Sequence, residues 1–258
     1  MMDCSTIFQG LLASDGLVFA IEKSTIPGKL ILLLLFVASI FSWTIIVTKV
    51  SLLRRARNRT ADFLEEFRAD RRPLRIYEEG EQFDGAPLFS VYRAGCEEAL
   101  FQLMGSVEID ETFRARLDNA EKITPTQMRA VVAAMERAVG ETALKLESQL
   151  ILLATAVSGA PFLGLLGTVW GVMDAFSAVA NAGSASLAAM APGVSGSLIT
   201  TVVALCVAIP AMFGYNFLVT SLKAMIVQMD NFGAELASAL EHHYVNHTPR
   251  TSPFVRIS

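Results

Sequence analysis

Charge is almost missing from two long stretches of this chain. Between Leu30 and Thr48 there is none, and between Ser148 and Leu222 the only charged residue is Asp174. Cysteine is scarce: Cys4, Cys96 and Cys206 are scattered and odd in number, which excludes a disulfide framework or a metal knuckle. A phosphate-binding glycine loop, a nucleophile elbow and a zinc-ligand spacing are all absent, so nothing points to an enzyme active site, a cofactor or a metal. Three histidines, His242, His243 and His247, crowd near the C-terminus and read as solvated side chains. Net charge is −4 with no basic patch, which argues against nucleic acid as a partner. Residues 1–28 lack a cationic start followed by an apolar run and a small-residue cleavage site. The first membrane helix is therefore expected to target the protein. Alternation of period two is missing as well, so the chain reads as all-α.

What is present is apolar. Hydrophobic residues make up 53% of the 258 residues, and the mean hydropathy is +0.47. Both values suit a polytopic membrane protein with a polar portion. Leu30 to Thr48 spans nineteen residues without charge, about 28 Å as a helix and close to one hydrocarbon thickness. Lys49, Arg54, Arg55, Arg57 and Arg59 follow it, against Lys23 and Lys29 before it. The positive-inside rule then puts the N-terminus outside and residue 50 onward in the cytoplasm. Ser158 to Phe176 is a second apolar segment, and about Val194 to Leu222 a third, with Pro210 as an expected kink and Lys223 returning the chain to the cytoplasm. The segment between them, Asn181 to Gly193, has no lysine or arginine, as an outside loop should.

The boundaries expected on this reading are an amphipathic segment over 1–28, a first span over 29–50, a helical cytoplasmic region over 51–147, a second span over 148–178, a periplasmic loop over 179–193, a third span over 194–222, and a cytoplasmic helix with a disordered tail over 223–258. Within the cytoplasmic region, Ala61 to Asp70 and Pro87 to Met104 read as short helices, with turns at Arg71-Arg72-Pro73 and Asp84-Gly85. Thr124-Pro125-Thr126-Gln127 is a helix start, with a threonine cap, proline in the first turn and glutamine three residues after the cap. Met128, Val132, Met135, Val139, Thr142 and Leu146 then alternate at steps of four and three. With no breaker before Gly159-Ala160-Pro161, the pattern predicts one helix from Pro125 to about Ala178, bent near Pro161. Met225, Met229, Phe232, Leu236 and Leu240 carry the last helix to about Tyr244.

Two faces of small residues stand out inside the apolar segments. Ala160, Gly164, Gly167 and Gly171 share one side of the second. Gly193, Ser197, Thr200, Thr201, Ala204, Ala208 and Ala211 share one side of the third. Small residues let helix backbones approach closely, so Gly164, Gly167, Gly171, Gly196 and Pro210 are read as packing positions. Leucine at Gly167 or Gly171 is expected to weaken ring assembly. Thr168 lies about six residues from the outer end of its span, and Thr200 and Thr201 about as far into the next, which places three hydroxyls at one depth in antiparallel helices. A lone threonine can bond its own helix carbonyl; three at one depth read as a polar lining for an ion path. Asp174, near the outer end, is a candidate for ion entry or a solvated interface carboxylate.

These segments carry a family resemblance. GAPFLGLLGTVWGVMDAF resembles the second membrane helix of the ExbB/TolQ/MotA family of ion-driven stator proteins, and APGVSGSLITTVVALCVAIPAMFGYN the third. PLFSVYRAGCEEAL matches a weaker cytoplasmic block, and FSWTIIVTK resembles the first helix in its TolQ-like form. The likeness covers roughly Lys29 to Asn216. It implies a subunit of the bacterial inner membrane, with N-terminus periplasmic and C-terminus cytoplasmic. It further implies a homopentameric ring in the lipid bilayer around two copies of a single-span ExbD/TolR-like partner that carries a membrane aspartate. The implied function is to harness a proton motive force to energise a periplasmic or outer-membrane process, with Thr168 and Thr201 lining the path. ExbB and TolQ carry a glutamate shortly after Ala-Pro-Gly where this chain has Gly196; MotA-like members also lack it. A non-conducting scaffold ring and a MotA-like motility stator, sodium-driven in one form, remain the alternatives. One helix ahead of the cytoplasmic region, where MotA has two, weighs against the second.

Overall fold

The computed structural model describes residues 26–70, 72–107, 112–182 and 187–246. Most of the amphipathic segment expected over 1–28, the tail from Thr248 and His247 lie outside the described residues. Among those residues the chain forms seven helices: α1 Ile26–Ala69, α2 Arg75–Glu78, α3 Pro87–Met104, α4 Phe113–Asp118, α5 Pro125–Glu147, α6 Leu150–Ala182 and α7 Leu187–Tyr244. The only β pairing among them is an isolated parallel bridge between Ile123 and Val245. Helices α1, α6 and α7 are each long and apolar enough to cross a membrane.

Three boundaries differ from the sequence expectation. The short helix expected over Ala61 to Asp70 is the last part of α1, which runs 44 residues without a break. From Lys29 to Arg72 no glycine or proline interrupts it, and Pro27 sits in the first turn, where a missing N–H costs no helical hydrogen bond. The single helix expected from Pro125 to Ala178 is two helices. The break falls at Ser148–Gln149, where Ser148 turns extended (ψ 143°) and Gln149 takes a left-handed φ of 71°. Pro161, the expected bend, lies inside an unbroken α6. Finally, much of the loop expected over 179–193 is helical, because α6 extends to Ala182 and α7 begins at Leu187. Alanine-rich sequence favours helix there more than its small, uncharged residues suggest.

The contacts divide the chain into two units, Met1–Val50 with Gln149–Val219, and Ser51–Ser148 with Thr220–Ser258. In the first, the spans pack through small residues. Ile31 and Leu35 of α1, Ala160 of α6, and Ala204 and Ala208 of α7 form one buried cluster. A Cβ placed on Gly214 would lie 2.5 Å from Ile46 Cδ1, so α1 advances from Ile31 to Ile46 as α7 advances from Ala204 to Gly214. The two helices run in the same direction. The large residues of this unit point away from it: Phe36, Trp43, Phe162, Trp170, Phe176 and Phe213 are all exposed. In water such a surface would aggregate; among lipid tails it is solvated.

The second unit has an aromatic core. Phe63 is fully buried, with ring centroids 5.4 Å from Phe83 and from Phe232, 5.5 Å from Tyr92 and 5.7 Å from Phe89. Most of these pairs meet edge to face, the arrangement that ring quadrupoles prefer. Buried Met225, Met229, Phe232, Leu236 and Leu240 of α7 form one stripe. Met128, Met135, Val139 and Leu146 of α5 are buried too, while Val132 and Thr142 are half-buried. Helix α5 starts with a complete capping box, in which the Thr124 hydroxyl accepts from Gln127 N–H and the Gln127 side chain accepts from Thr124 N–H. Helix α3 starts at Pro87 and ends on Gly105 at a left-handed φ of 69°, the conformation that glycine adopts without strain. Arg68 holds Glu235 through two charge-assisted hydrogen bonds of 2.8 and 3.0 Å, and Arg75 pairs with Glu66 and Glu79.

Candidate functional site

The site grows from the glycine face of α6. Helix α6 is expensive to build with glycine, since each costs about 1 kcal/mol against alanine in a helix. What that absence of side chains permits is contact with α7. A Cβ on Gly164 would lie 2.6 Å from Ala204 Cβ and 3.0 Å from Thr201 Cα. One on Gly167 would collide with Thr200 Oγ1 and lie 2.7 Å from its Cβ. One on Gly171 would lie 2.5 Å from Ser197 Cβ and 3.0 Å from the Gly193 carbonyl oxygen. Gly193 in turn faces Ala175. As α6 counts upward α7 counts downward, so the helices are antiparallel, with backbones pressed together over about three turns. Gly167 and Gly171 are thus packing positions, and the helix they face is α7 of their own chain.

Hydroxyls line this seam. Thr200 is fully buried, and its Oγ1 lies 2.7 Å from the Ser197 carbonyl and 3.3 Å from the Gly164 carbonyl. It has one hydrogen, and the shorter bond takes it. Thr201 is half-buried and donates to the Gly164 carbonyl at 3.0 Å. That oxygen also closes a turn of α6, so the bond uses its second lone pair and leaves the helix intact. Ser197 is buried as well and donates to Val194 at 2.7 Å.

Thr168 follows Gly167, which opposes Thr200, so it stands level with Thr200 and Thr201. Its own hydroxyl donates to the Leu165 carbonyl at 2.7 Å. It is half-buried, one residue around the helix from the seam. The structure thus brings Thr200 and Thr201 onto α6 directly and sets Thr168 beside them without a bond between. Asp174 is half-buried next to Ala175, which faces Gly193. It lies six residues beyond Thr168, about 9 Å along the axis. Gly196 is buried beside Ser197, and Pro210 is half-buried inside α7 without interrupting it. Among the described residues no group of three His, Cys, Asp or Glu side chains is placed to hold a metal ion.

The hydrogen bond from Thr201 into the Gly164 carbonyl was beyond sequence reasoning, which paired threonines with one another by depth. Ser197 was legible only as a small residue. Its spacing of three from Thr200 was the available signal, since serine and threonine three apart on one helix can bond the intervening turn.

Comparison with known proteins places these features in company. The sequence model described as the MotA/TolQ/ExbB proton channel family matches residues 106–231. The chain is 32% identical to the Tol-Pal system protein TolQ of Haemophilus influenzae over 228 residues, 88% of this chain and 94% of that one. It is 31% identical to TolQ of Pseudomonas aeruginosa, over 85% of this chain and 90% of the relative. Against the biopolymer transport protein ExbB of Xanthomonas campestris it is 44% identical over 103 residues, 40% of this chain and 41% of the other.

Proposed function

The chain belongs to the MotA/TolQ/ExbB proton channel family, on its TolQ and ExbB branch, and from that premise we propose that it forms a ring around a single-span ExbD/TolR-type partner. In this reading the ring harnesses the proton motive force to energise a Tol-Pal-like or biopolymer-transport process. The protein is a multi-pass membrane protein with three transmembrane helices. We place its N-terminus in the periplasm, residues 51–147 in the cytoplasm and its C-terminus in the cytoplasm, from the cluster of positive charge after Thr48.

The observation that carries the reading is the hydroxyl seam: Thr200 and Thr201 meet α6 at the level of Thr168, in a stretch from Ser148 to Leu222 whose only acid is Asp174. A proton crossing the apolar layer unaided faces a desolvation cost of many kcal/mol. A carboxylate that gains and loses the proton lowers it. Gly196 stands where the resembling proteins carry a glutamate, so in this reading the titrating group belongs to the partner. Threonine hydroxyls both donate and accept, and they orient water around such a carboxylate. Moving one charge through 100 mV supplies about 2.3 kcal/mol, enough for repeated steps to do work.

Valine at Thr168 and Thr201 keeps side-chain shape and removes the hydroxyls. The double variant is expected to assemble as the wild type does, because an interhelical hydrogen bond of this kind is worth only about 0.6 kcal/mol. It is also expected to fail to restore envelope integrity in a strain deleted for this chain. Asp174→Asn is expected to be milder. Full activity in the double variant with loss in Asp174→Asn would make Asp174 the ion carrier. Full activity in both variants, with no proton flux in vesicles from wild-type cells, would favour a scaffold ring.

A further inference from the structure

Four arginines crowd one short piece of α1 just beyond the apolar run: Arg54, Arg55, Arg57 and Arg59. All four are exposed, while Leu53, Ala56 and Thr60 of the same turns are buried, so the guanidinium groups fan out over the outward side of the helix. No acid lies between Ser51 and Ala61 to neutralise them. Among the described residues none of the four has an ion pair, whereas Arg68, Arg72 and Arg75 farther along the same region are each held by a carboxylate. Only Lys223 follows the third span in a comparable way.

Their height along α1 begins at the outer edge of a membrane's polar layer. Arg54 lies six residues past Thr48, about 9 Å, and Arg59 about 16 Å. The headgroup layer is about 5–8 Å thick on each side, and long arginine side chains reach back toward it. Guanidinium groups bind phosphate oxygens two at a time, as lysine cannot. We propose that these four arginines form a binding site for anionic phospholipid headgroups, of the phosphatidylglycerol class, in the leaflet at the Thr48 end of α1. The site collects such lipids around this helix in preference to zwitterionic ones. The proposal rests on α1 spanning the bilayer, and its test separates the two.

The chain has two tryptophans, so Trp170→Phe leaves Trp43 as the only reporter. Trp43 is 55% exposed on α1 and lies about 8 Å inside the apolar run, at the level of lipid acyl chains. The full protein is reconstituted in phosphatidylcholine containing a minor fraction of phosphatidylglycerol, with bromine on the acyl chains of one lipid or the other. Brominated phosphatidylglycerol is expected to quench Trp43 about fivefold more than its mole fraction, the ratio for one favourable cation at a lipid surface. The excess should vanish in ~1 M salt, where charge is screened beyond about 3 Å. Glutamine at all four positions should abolish it, while lysine at all four, which keeps the charge that sets topology but lacks the two-pronged guanidinium, should retain only part of it. Quenching that follows mole fraction in the wild type at low salt overturns the proposal, as does an excess that survives the four glutamines. Smaller assemblies in the glutamine variant, with no lipid excess in the wild type, would give these arginines to the carboxylates of a second copy instead. Failure of either brominated lipid to quench Trp43 would remove the spanning helix itself.

Discussion

Exchanging one methyl group across the seam tests its geometry. Gly164 and Ala204 face each other, and a Cβ on Gly164 would sit 2.6 Å from the Ala204 Cβ. Two carbons rest at about 3.5–4.0 Å, so Gly164→Ala alone must push the helices apart by about 1 Å. Overpacking of that kind costs about 1–3 kcal/mol, offset by about 1 kcal/mol of helix propensity. Ala204→Gly alone loses that propensity and a buried methyl worth about 0.8 kcal/mol, near 2 kcal/mol together. In the double variant the propensities cancel and the methyl only changes helix. What remains is the 3.0 Å approach to Thr201 Cα, a strain of about 1 kcal/mol on the same scale. The two changes should therefore couple favourably by about 2 kcal/mol in a double-mutant cycle. Thermal unfolding of the purified protein in detergent reads it, with tryptophan fluorescence as the signal. Gly159→Ala is the internal control: a Cβ there meets nothing within 4 Å, so this variant should melt at or above the wild type. Strict additivity of Gly164→Ala and Ala204→Gly would refute close contact between α6 and α7 at this level.

The valine pair at Thr168 and Thr201 and the brominated-lipid measurement stand as described above. Phe63→Ala removes the ring at the centre of the aromatic core and should destabilise the second unit by about 3–5 kcal/mol, seen as proteolysis of the region from Ser51 to Ser148 at temperatures where the wild type resists. Unchanged protease resistance would mean the rings are not the core. Alkaline pH should act on the same unit. Burial pushes the Cys96 thiol and the Tyr92 hydroxyl up from their ordinary values, and it raises Tyr244 to about 12. The folded state then holds protons that the unfolded state releases, beginning at the ordinary thiol value of 9.0. Stability from these groups is full below that pH and falls as pH rises above it. Cys96→Ala should flatten the fall between pH 9 and 10; an unchanged slope would show that the thiol ionises freely in the folded protein.

Where the sequence carried a local chemical signal, it could be read residue by residue. Thr124 and Gln127 announced a capping box because both partners lie within one turn. Pro87 marked the start of α3 because the first turn is where proline costs no helical hydrogen bond. The stripe from Met225 to Leu240 was visible because large apolar side chains stood at every third or fourth position. The continuation of α1 was harder to see, since Ala56 and Thr60 carry the buried face between Leu53 and Phe63 with little hydrophobic weight. Nothing in Ser148–Gln149 resembles a breaker. A glutamine in the left-handed region is chosen by its surroundings, and the serine before an apolar run was the one hint of a new helix start. At the candidate site, types and levels were legible, partners were not. Glycine says only that something comes close, and whether that neighbour is α7 or another copy depends on packing that no local pattern encodes.

The seam also bears on how the protein is made. Its hydrogen bond joins residues 37 positions apart, and α7 begins at Leu187, soon after α6 ends at Ala182. At about 5–20 residues per second of translation, Thr200 and Thr201 leave the ribosome roughly 2–7 seconds after Gly164. The bare glycine face of α6 therefore meets lipid only briefly before its partner follows it into the bilayer. The two spans are suited to enter as a hairpin whose Thr201 hydroxyl finds the Gly164 carbonyl during insertion.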